Sequence, residues 1–275
     1  MSADDVSLRT TRPREYRLPA RRLVRRAAWL VALLVVWEIA AVLLLGSGDR
    51  LAGSKIPLPQ AVAGAFINQG HTLLEAAWAT TRGAALGLLL GTVVGFSLGL
   101  VMTQARWVEN AIYPYVVAAQ MIPTIALAPI ILGAIRDADA TRVIVAAYIT
   151  VFSVSLGTIK GLKSTPPDAL ALMRTYNASR WTQYRRLRIP ASLPFFFAGL
   201  KIAAPLAVVG EIVVELAGSK DGLGTLLLTT QYYGSSYAPL FWAGLITTML
   251  LGLIFARLAA RLERTVSPWQ PEFRT

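Results

Sequence analysis

The sequence predicts an all-α, polytopic membrane protein with six transmembrane helices and a polar loop of short paired helices between spans 4 and 5. Three observations support this. The 275 residues are 55% apolar and only 15% charged, and the mean hydropathy is +0.54, outside the range of ordinary soluble domains. The apolar residues fall in runs of about 20, the length a helix needs to cross about 30 Å of hydrocarbon. The basic residues, which give a net charge of +12, are concentrated in alternate loops.

Six runs stand out, roughly 27–45, 78–102, 108–133, 141–159, 195–217 and 238–258. With the N-terminus inside, the inner segments hold Arg9, Arg12, Arg14, Arg17, Arg21, Arg22, Arg25 and Arg26, then Arg106. They also hold Lys160, Lys163, Arg174, Arg180, Arg185, Arg186 and Arg188, and finally Arg257, Arg261, Arg264 and Arg274. The outer segments keep Arg50, Lys55, Arg136, Arg142 and Lys220. This bias places both termini and the central insert in the cytoplasm. It also explains the positive charge without nucleic acid.

Residues 1–26 read as a basic cytoplasmic tail, and 27–45 as a retained span, too long for a signal core and followed by no small-x-small cleavage site. Ile56-Pro57-Leu58-Pro59 stops a helix, so 27–75 should hold the first span, an outer loop and a short interfacial helix. The core of spans 2–6 runs from 76 to 262, with 263–275 as a C-terminal cytoplasmic tail. In span 2, Gly83, Gly87, Gly91, Gly95 and Gly99 recur every fourth position and share one helix face. That face is read as packing within the subunit, with a translocation path or dimer seam as the alternatives.

Span 3 carries Pro114, Pro123 and Pro129, each removing a backbone donor. A span broken in this way suits the wall of a pathway, which makes Gln120 and Pro123 candidates. Span 5 holds Glu211 and Glu215 on one face, with Lys201 earlier and Pro205 expected to break the helix. Acids within a span cost about 2.5–3.5 kcal/mol on insertion scales. Lys201, Glu211 and Glu215 are therefore candidates for the pathway, or for structural ion pairs. Glu215 is expected near the outer boundary in contact with solvent. Gly218-Ser219-Lys220-Asp221-Gly222-Leu223-Gly224 is an outer turn and lacks the ending of a phosphate loop.

No cofactor or enzymatic centre is indicated. Cysteine is absent, and the single His71 cannot anchor a metal site or a triad. An ion-coupled secondary transporter using Glu211 and Lys201 is the rival function; a lipid-modifying membrane enzyme is a more distant one.

Residues 165–190, TPPDALALMRTYNASRWTQYRRLRIP, form the insert. Thr165 followed by Pro166, Pro167 and Asp168 reads as a helix start, with the hydroxyl as cap. Ala169, Leu172, Met173 and Tyr176 recur at helical spacing. Asn177 accepts a left-handed turn, and Ser179 caps a second helix whose apolar face is Trp181, Tyr184 and Leu187 and which Pro190 is expected to end. Two short helices cannot bury such faces alone. They lie either on lipid or in a groove of a cytoplasmic protein.

The insert resembles the cytoplasmic EAA loop of permease subunits in bacterial ABC importers. That pattern reads Glu-Ala-Ala, three residues, Gly, nine residues, Ile, any residue, Leu-Pro. Here Ala171-Leu172-Met173 stand at the Glu-Ala-Ala positions, Asn177 at the Gly, and Leu187-Arg188-Ile189-Pro190 at the end. Ala171 departs from the family's acid, which interacts with the ATPase; either that charged contact is missing here or Asp168 substitutes for it. Trp37-Glu38, Leu58-Pro59 before Val62, Ile122-Pro123, Ala126-Leu127-Ala128-Pro129, Glu215, Gly218-Ser219 and Gly222-Leu223-Gly224 are similar to the nitrate, sulfonate and taurine branch. Gln120-Met121-Ile122-Pro123 through Pro129 is most similar to permeases for thiamine-pyrimidine precursors or riboflavin. Gly133-Ala134-Ile135 stands where those have Trp-Phe-Gly.

The resemblance implies a homodimeric, multi-pass permease in the bacterial cytoplasmic membrane, working by alternating access and performing no chemistry itself. Its partners would be a second copy of the chain, a cytoplasmic ATPase dimer, a periplasmic or lipid-anchored substrate-binding protein and membrane lipids. Asp168, Ala171, Leu172, Met173, Tyr176, Asn177, Ala178 and Ser179 would dock the ATPase. The solute would be an anion such as sulfonate, taurine or nitrate, or a vitamin precursor such as a pyrimidine or riboflavin.

Overall fold

A computed structural model describes residues 20–46 and 56–269, and every regular element among them is helical. The expected basic tail lies outside the described residues up to residue 19, as do Arg50, Lys55 and residues 270–275 with Arg274. Five helices are long and apolar enough to cross a membrane, and a helix pair bent by 98° makes a sixth span if counted as one.

The first helix, α1 (Ala20–Gly46), is apolar on nearly all sides, and Trp29, Leu33 and Val36 are exposed along it. Such a helix suits lipid. Trp37 anchors it, donating from Nε1 to the Pro57 carbonyl at 3.0 Å and packing 5.2 Å from Trp242. Helix α2 (Pro59–Asn68) starts on Pro59, where the missing donor costs nothing. It buries Val62 and Ala65 against Leu73, Leu240 and Ala243.

Helix α3 (Gly70–Met102) carries the glycine stripe, and all five glycines are buried. A methyl group on Gly87 would meet Ala146; one on Gly91 would meet Thr150; those on Gly95 and Gly99 would meet Val154 and Thr158. All four neighbours lie on α6 (Ala138–Lys163). The stripe is thus packing within the subunit. On its other side α6 presents Gly157 and Gly161 to Phe195 and Ser192 of α9 (Ile189–Leu216), while Gly199 of α9 faces the Ser153 carbonyl. The three helices α3, α6 and α9 therefore touch backbone to backbone.

Between α3 and α6 lie α4 (Arg106–Ala119) and α5 (Thr124–Ile135), the bent pair. Only Pro123 sits at the break, as N-cap of α5; Pro114 and Pro129 lie inside continuous helices. This corrects the expectation that all three prolines break the span: an apolar span tolerates a lost donor when neighbouring groups satisfy the freed carbonyls. At the break itself, the Tyr148 hydroxyl donates to the Ala119 carbonyl. A left-handed Arg136 (φ 58°) then turns the chain, and Asp137 caps α6 by accepting from the Asp139 and Ala140 amides.

Pro205 does not break span 5, and α9 runs through Pro194 and Pro205 without interruption. After α9 come α10 (Leu223–Tyr232), a short 3-10 turn (Ser235–Tyr237) and α11 (Ala238–Val266). Residues Arg142 and Lys160 of α6 are separated by about 27 Å along the helix. The insert therefore lies at one end of the bundle, and Arg142, Glu211 and Glu215 at the other.

Gly91→Ala should lower stability by about 1–3 kcal/mol through overpacking against α6. Gly64→Ala, where an added methyl meets open space, should cost nothing. Thermal unfolding in detergent, followed by tryptophan fluorescence, compares the two; equal behaviour would refute the close approach.

Candidate functional site

The insert begins with α7 (Pro167–Thr175), capped by backbone only. Thr165 is not the cap. Its buried hydroxyl donates back to the Leu162 carbonyl at 3.2 Å, closing the end of α6. Asn177 takes φ 50°, the left-handed conformation that the sequence requires there. The Asn177 and Ala178 amides close the end of α7 by donating to the Arg174 and Met173 carbonyls at 2.9 and 3.0 Å. Ser179 caps α8 (Arg180–Gln183), accepting from the Thr182 amide at 3.3 Å.

Pro190 does not end this second helix. A π turn at Tyr184–Arg188 follows α8 and leads straight into α9, giving one rod over Arg180–Leu216. Pro190 falls in the first turn of α9, where the wide turn accommodates its missing donor. The apolar face of α7 is divided. Ala169, Leu170 and Met173 are half-buried toward the bundle, whereas Ala171, Leu172 and Tyr176 face outward with Asp168, Asn177 and Ser179. Leu172 is 57% exposed, Tyr176 79% and Trp181 71%. Large apolar side chains are thus held exposed on a capped turn.

At the far end, Arg142 is almost wholly buried and central to an ionic knot. Its Nε donates to Ser219 Oγ at 3.0 Å, and its Nη2 to the Asp221 carbonyl and Oδ1 at 2.5 and 2.6 Å. Asp139 Oδ1 lies 3.4 Å from Nη1, and Glu211 Oε1 lies 3.6 Å from Nε. Glu211 is fully buried, yet neither of its oxygens accepts a hydrogen bond among the described residues. It occupies the space that a side chain at Gly83 would need. Beside it, a cavity of about 200 Å³ opens between α3 and α6, lined by Arg82, Gly83, Asp139, Arg142 and Glu211 among others.

Glu215 departs from the solvent-exposed position expected of it. It is fully buried and accepts from Thr80 Oγ1 at 2.7 Å and from the Gly224 amide at 2.6 Å. The second contact caps the N-terminus of α10, where a carboxylate is favoured. Gly222, at φ 110°, leaves the room this carboxylate needs.

Lys201 is not part of this group. It lies on α9 about 15 Å from Glu211 along the axis, and its Nζ binds Glu263 Oε2 of α11 at 2.8 Å. Gln120 and Pro123 are exposed at the α4–α5 bend, and no hydrogen bond or ion pair joins them to Glu211 among the described residues. The candidates thus fall into three places rather than one. Arg142, Thr80 and Asp221 were missed as site residues. The usable signal was Arg142 followed directly by Val143-Ile144-Val145, a cation carried into an apolar run.

Residues 87–268 match the family described as "Binding-protein-dependent transport system inner membrane component". The formylaminopyrimidine transport permease protein ThiX of Halalkalibacterium halodurans is 34% identical over 250 residues, covering 88% of this chain and 94% of that protein. The riboflavin transport system permease protein RibX of Chloroflexus aurantiacus is 30% identical over 267 residues, 92% and 95% of the two chains. The nitrate import permease protein NrtB of a Synechocystis species is 26% identical over 268 residues, 94% and 96%. Among solved structures, the inward-facing MetNI methionine ABC transporter matches with a TM-score of 0.61 at 16% identity, covering 72% of this chain and 97% of that one. That match is evidence of fold alone.

Arg142→Gln should destabilise the protein by about 3 kcal/mol or more, since it removes the cation beside buried Glu211 and the contacts to Ser219 and Asp221. Glu211→Gln, which removes a buried carboxylate that accepts no hydrogen bond, should stay within about 1 kcal/mol of wild type or exceed it. The same thermal unfolding decides, and a collapse of Glu211→Gln as deep as that of Arg142→Gln would make Glu211 a structural ion-pair partner.

Proposed function

The chain belongs to the family of binding-protein-dependent transport system inner membrane components, and from that premise we propose that the helix pair of residues 165–190 docks its ATPase. The protein is the permease subunit of an ABC importer, an inner-membrane component, and ATP hydrolysis belongs to a separate subunit. The exposure of Leu172, Tyr176 and Trp181 around a left-handed Asn177 carries the docking assignment. Asp168 stands on the first turn of α7, on the exposed side, and supplies the acid that Ala171 lacks. Docking at this loop puts the insert and both termini on the cytoplasmic side, with the Arg142 knot outside.

Two copies of the chain form the pathway, with two ATPases below and a substrate-binding protein above. Closure of the ATPases on ATP moves the insert, and the rod over Arg180–Leu216 carries that motion to Glu211. Alternating access follows because packed helices shift as rigid bodies.

For the solute we favour a small nitrogen heterocycle of vitamin-precursor type over nitrate or a sulfonate. The formylaminopyrimidine and riboflavin permeases share 34% and 30% of residues with this chain, against 26% for the nitrate permease.

Leu172→Asp and Asn177→Pro should each reduce ATPase co-purification at least about tenfold, the equivalent of about 1.4 kcal/mol, while the protein remains in the membrane. Full recovery of ATPase with both variants would refute the docking assignment. Uptake into vesicles holding the whole importer should favour a labelled aminopyrimidine over nitrate and taurine; the reverse order would overturn the substrate reading.

A further inference from the structure

At the end of the bundle that carries the insert, a cavity of about 350 Å³ opens between the α3–α4 turn, the end of α6, the start of α7 and the π turn. Its charged lining is Arg106, Glu109, Lys163 and Arg188, three cations against one acid. Glu109 is already taken up by Lys163, whose Nζ donates to both carboxylate oxygens at 2.5 and 2.6 Å. Arg106 and Arg188 therefore face the cavity uncompensated. Arg106 is exposed, with no hydrogen bond or ion pair among the described residues.

Arg188 is held in a specific attitude. Its guanidinium lies 4.8 Å from the centre of the Tyr184 ring, and Nη1 donates to the Tyr184 hydroxyl at 3.2 Å. That hydroxyl donates in turn to the Thr103 carbonyl at 3.4 Å, which ties the π turn to the end of α3. Arg188 Nε is buried and has no hydrogen-bond partner. With Nη1 engaged, the Nε–Nη2 edge carries no hydrogen bond, and such an edge holds two parallel donors matched to two oxygens of a phosphate. A buried donor left unpaired is destabilising, and an acceptor that reaches it from the cavity would relieve this. The π turn itself, a form found mostly at functional sites, sets the direction of this side chain.

We infer that this cavity binds a phosphate-class anion, presented by the headgroup of an anionic glycerophospholipid or as free phosphate. Depth favours the lipid. Met102, in the cavity wall, lies about 30 Å along α3 from Arg82 at the other boundary, one hydrocarbon thickness away. Basic pockets between helices at this depth meet anionic headgroups at high local concentration. Leu162 and Leu170 complete the wall with apolar surface suited to the glycerol and upper acyl region. An anion seated there bridges the α3–α4 turn to the π turn and stiffens the base of the helix pair. The site does not require that the insert dock an ATPase, so the two proposals can fail separately.

Native mass spectrometry of the purified full chain, released from mild detergent, counts retained phosphatidylglycerol. Wild type should retain it, and Arg188→Gln and Arg106→Gln should each lower retention about tenfold at matched lipid. Arg257→Gln, a basic residue of α11 outside the cavity, should not. Arg188→Lys, which keeps the charge but loses the fork, should fall between. In phosphatidylcholine nanodiscs, potassium phosphate is titrated against chloride at equal ionic strength. A rise in unfolding temperature that Arg188→Gln abolishes assigns the site to free phosphate; a rise only with phosphatidylglycerol nanodiscs assigns it to lipid. If Arg188→Gln does not fold, Arg106→Gln decides, since its exposed side chain holds nothing in place. Undiminished lipid retention in the folded variants, with no phosphate-dependent shift, overturns the proposal. ATPase capture by each variant reports separately on the docking assignment.

Discussion

The backbone contact between α3, α6 and α9 is the constraint on which the remaining structure depends. Lipid tails are as apolar as leucine, so helices in a bilayer associate through close packing rather than through exclusion of water. The glycines of α3 at positions 87, 91, 95 and 99, together with Gly157, Gly161, Gly199 and Gly210, allow that packing on both sides of α6. Van der Waals contacts are individually weak, and three helices in register accumulate enough of them to form a rigid unit. Helices α1, α4 and α5 lie around this unit and bury few of their own residues. They are the elements left free to meet lipid or a second copy of the chain.

The same packing creates the ionic knot. Gly83 continues the stripe by one turn, but Glu211 rather than an α6 side chain fills its space. A carboxylate driven into such a gap loses its hydration, at an effective cost of several kcal/mol. Arg142, 3.6 Å away, offsets only part of that, because its closer contacts go to Asp221 and Ser219. Glu215, one turn further on, has the opposite fate and is satisfied by Thr80 and the start of α10. Two acids four residues apart on one helix therefore differ in kind, one a cap and one a bare charge beside a cavity. That difference leaves Glu211 beside the cavity and Glu215 holding the turn between α9 and α10.

What could be read from the sequence follows from how local each signal is. Asn177 was legible because a left-handed turn depends on one residue, and Ser179 because a cap reaches only three residues on. The glycine stripe was legible as a face, and its neighbour was read correctly only in general terms, since spacing identifies a surface and not what covers it. The prolines misled. A proline signals a lost donor, but whether the helix breaks depends on groups elsewhere in the fold; Pro190, Pro194 and Pro205 are all accommodated, and only Pro123 marks a break. Glu215 was misplaced for the same reason. Its partners, Thr80 and Gly224, are separated from each other by most of the chain, and no local pattern links them.

The continuity of α8, the π turn and α9 determines how the two ends of the molecule can communicate. Were Pro190 a true stop, the second arm of the insert would hang on a flexible joint and motion at Trp181 would be lost there. Instead it is the first turn of a rod that reaches Glu211 about 45 Å away. The irregular point of that rod is the π turn, and Tyr184 fastens this point to the end of α3 through Thr103. The insert can therefore move only with the α3–α6–α9 unit or by bending at this turn. The cavity beside Arg188 is walled by both the π turn and the end of α3, so its occupant touches both sides of this fastening.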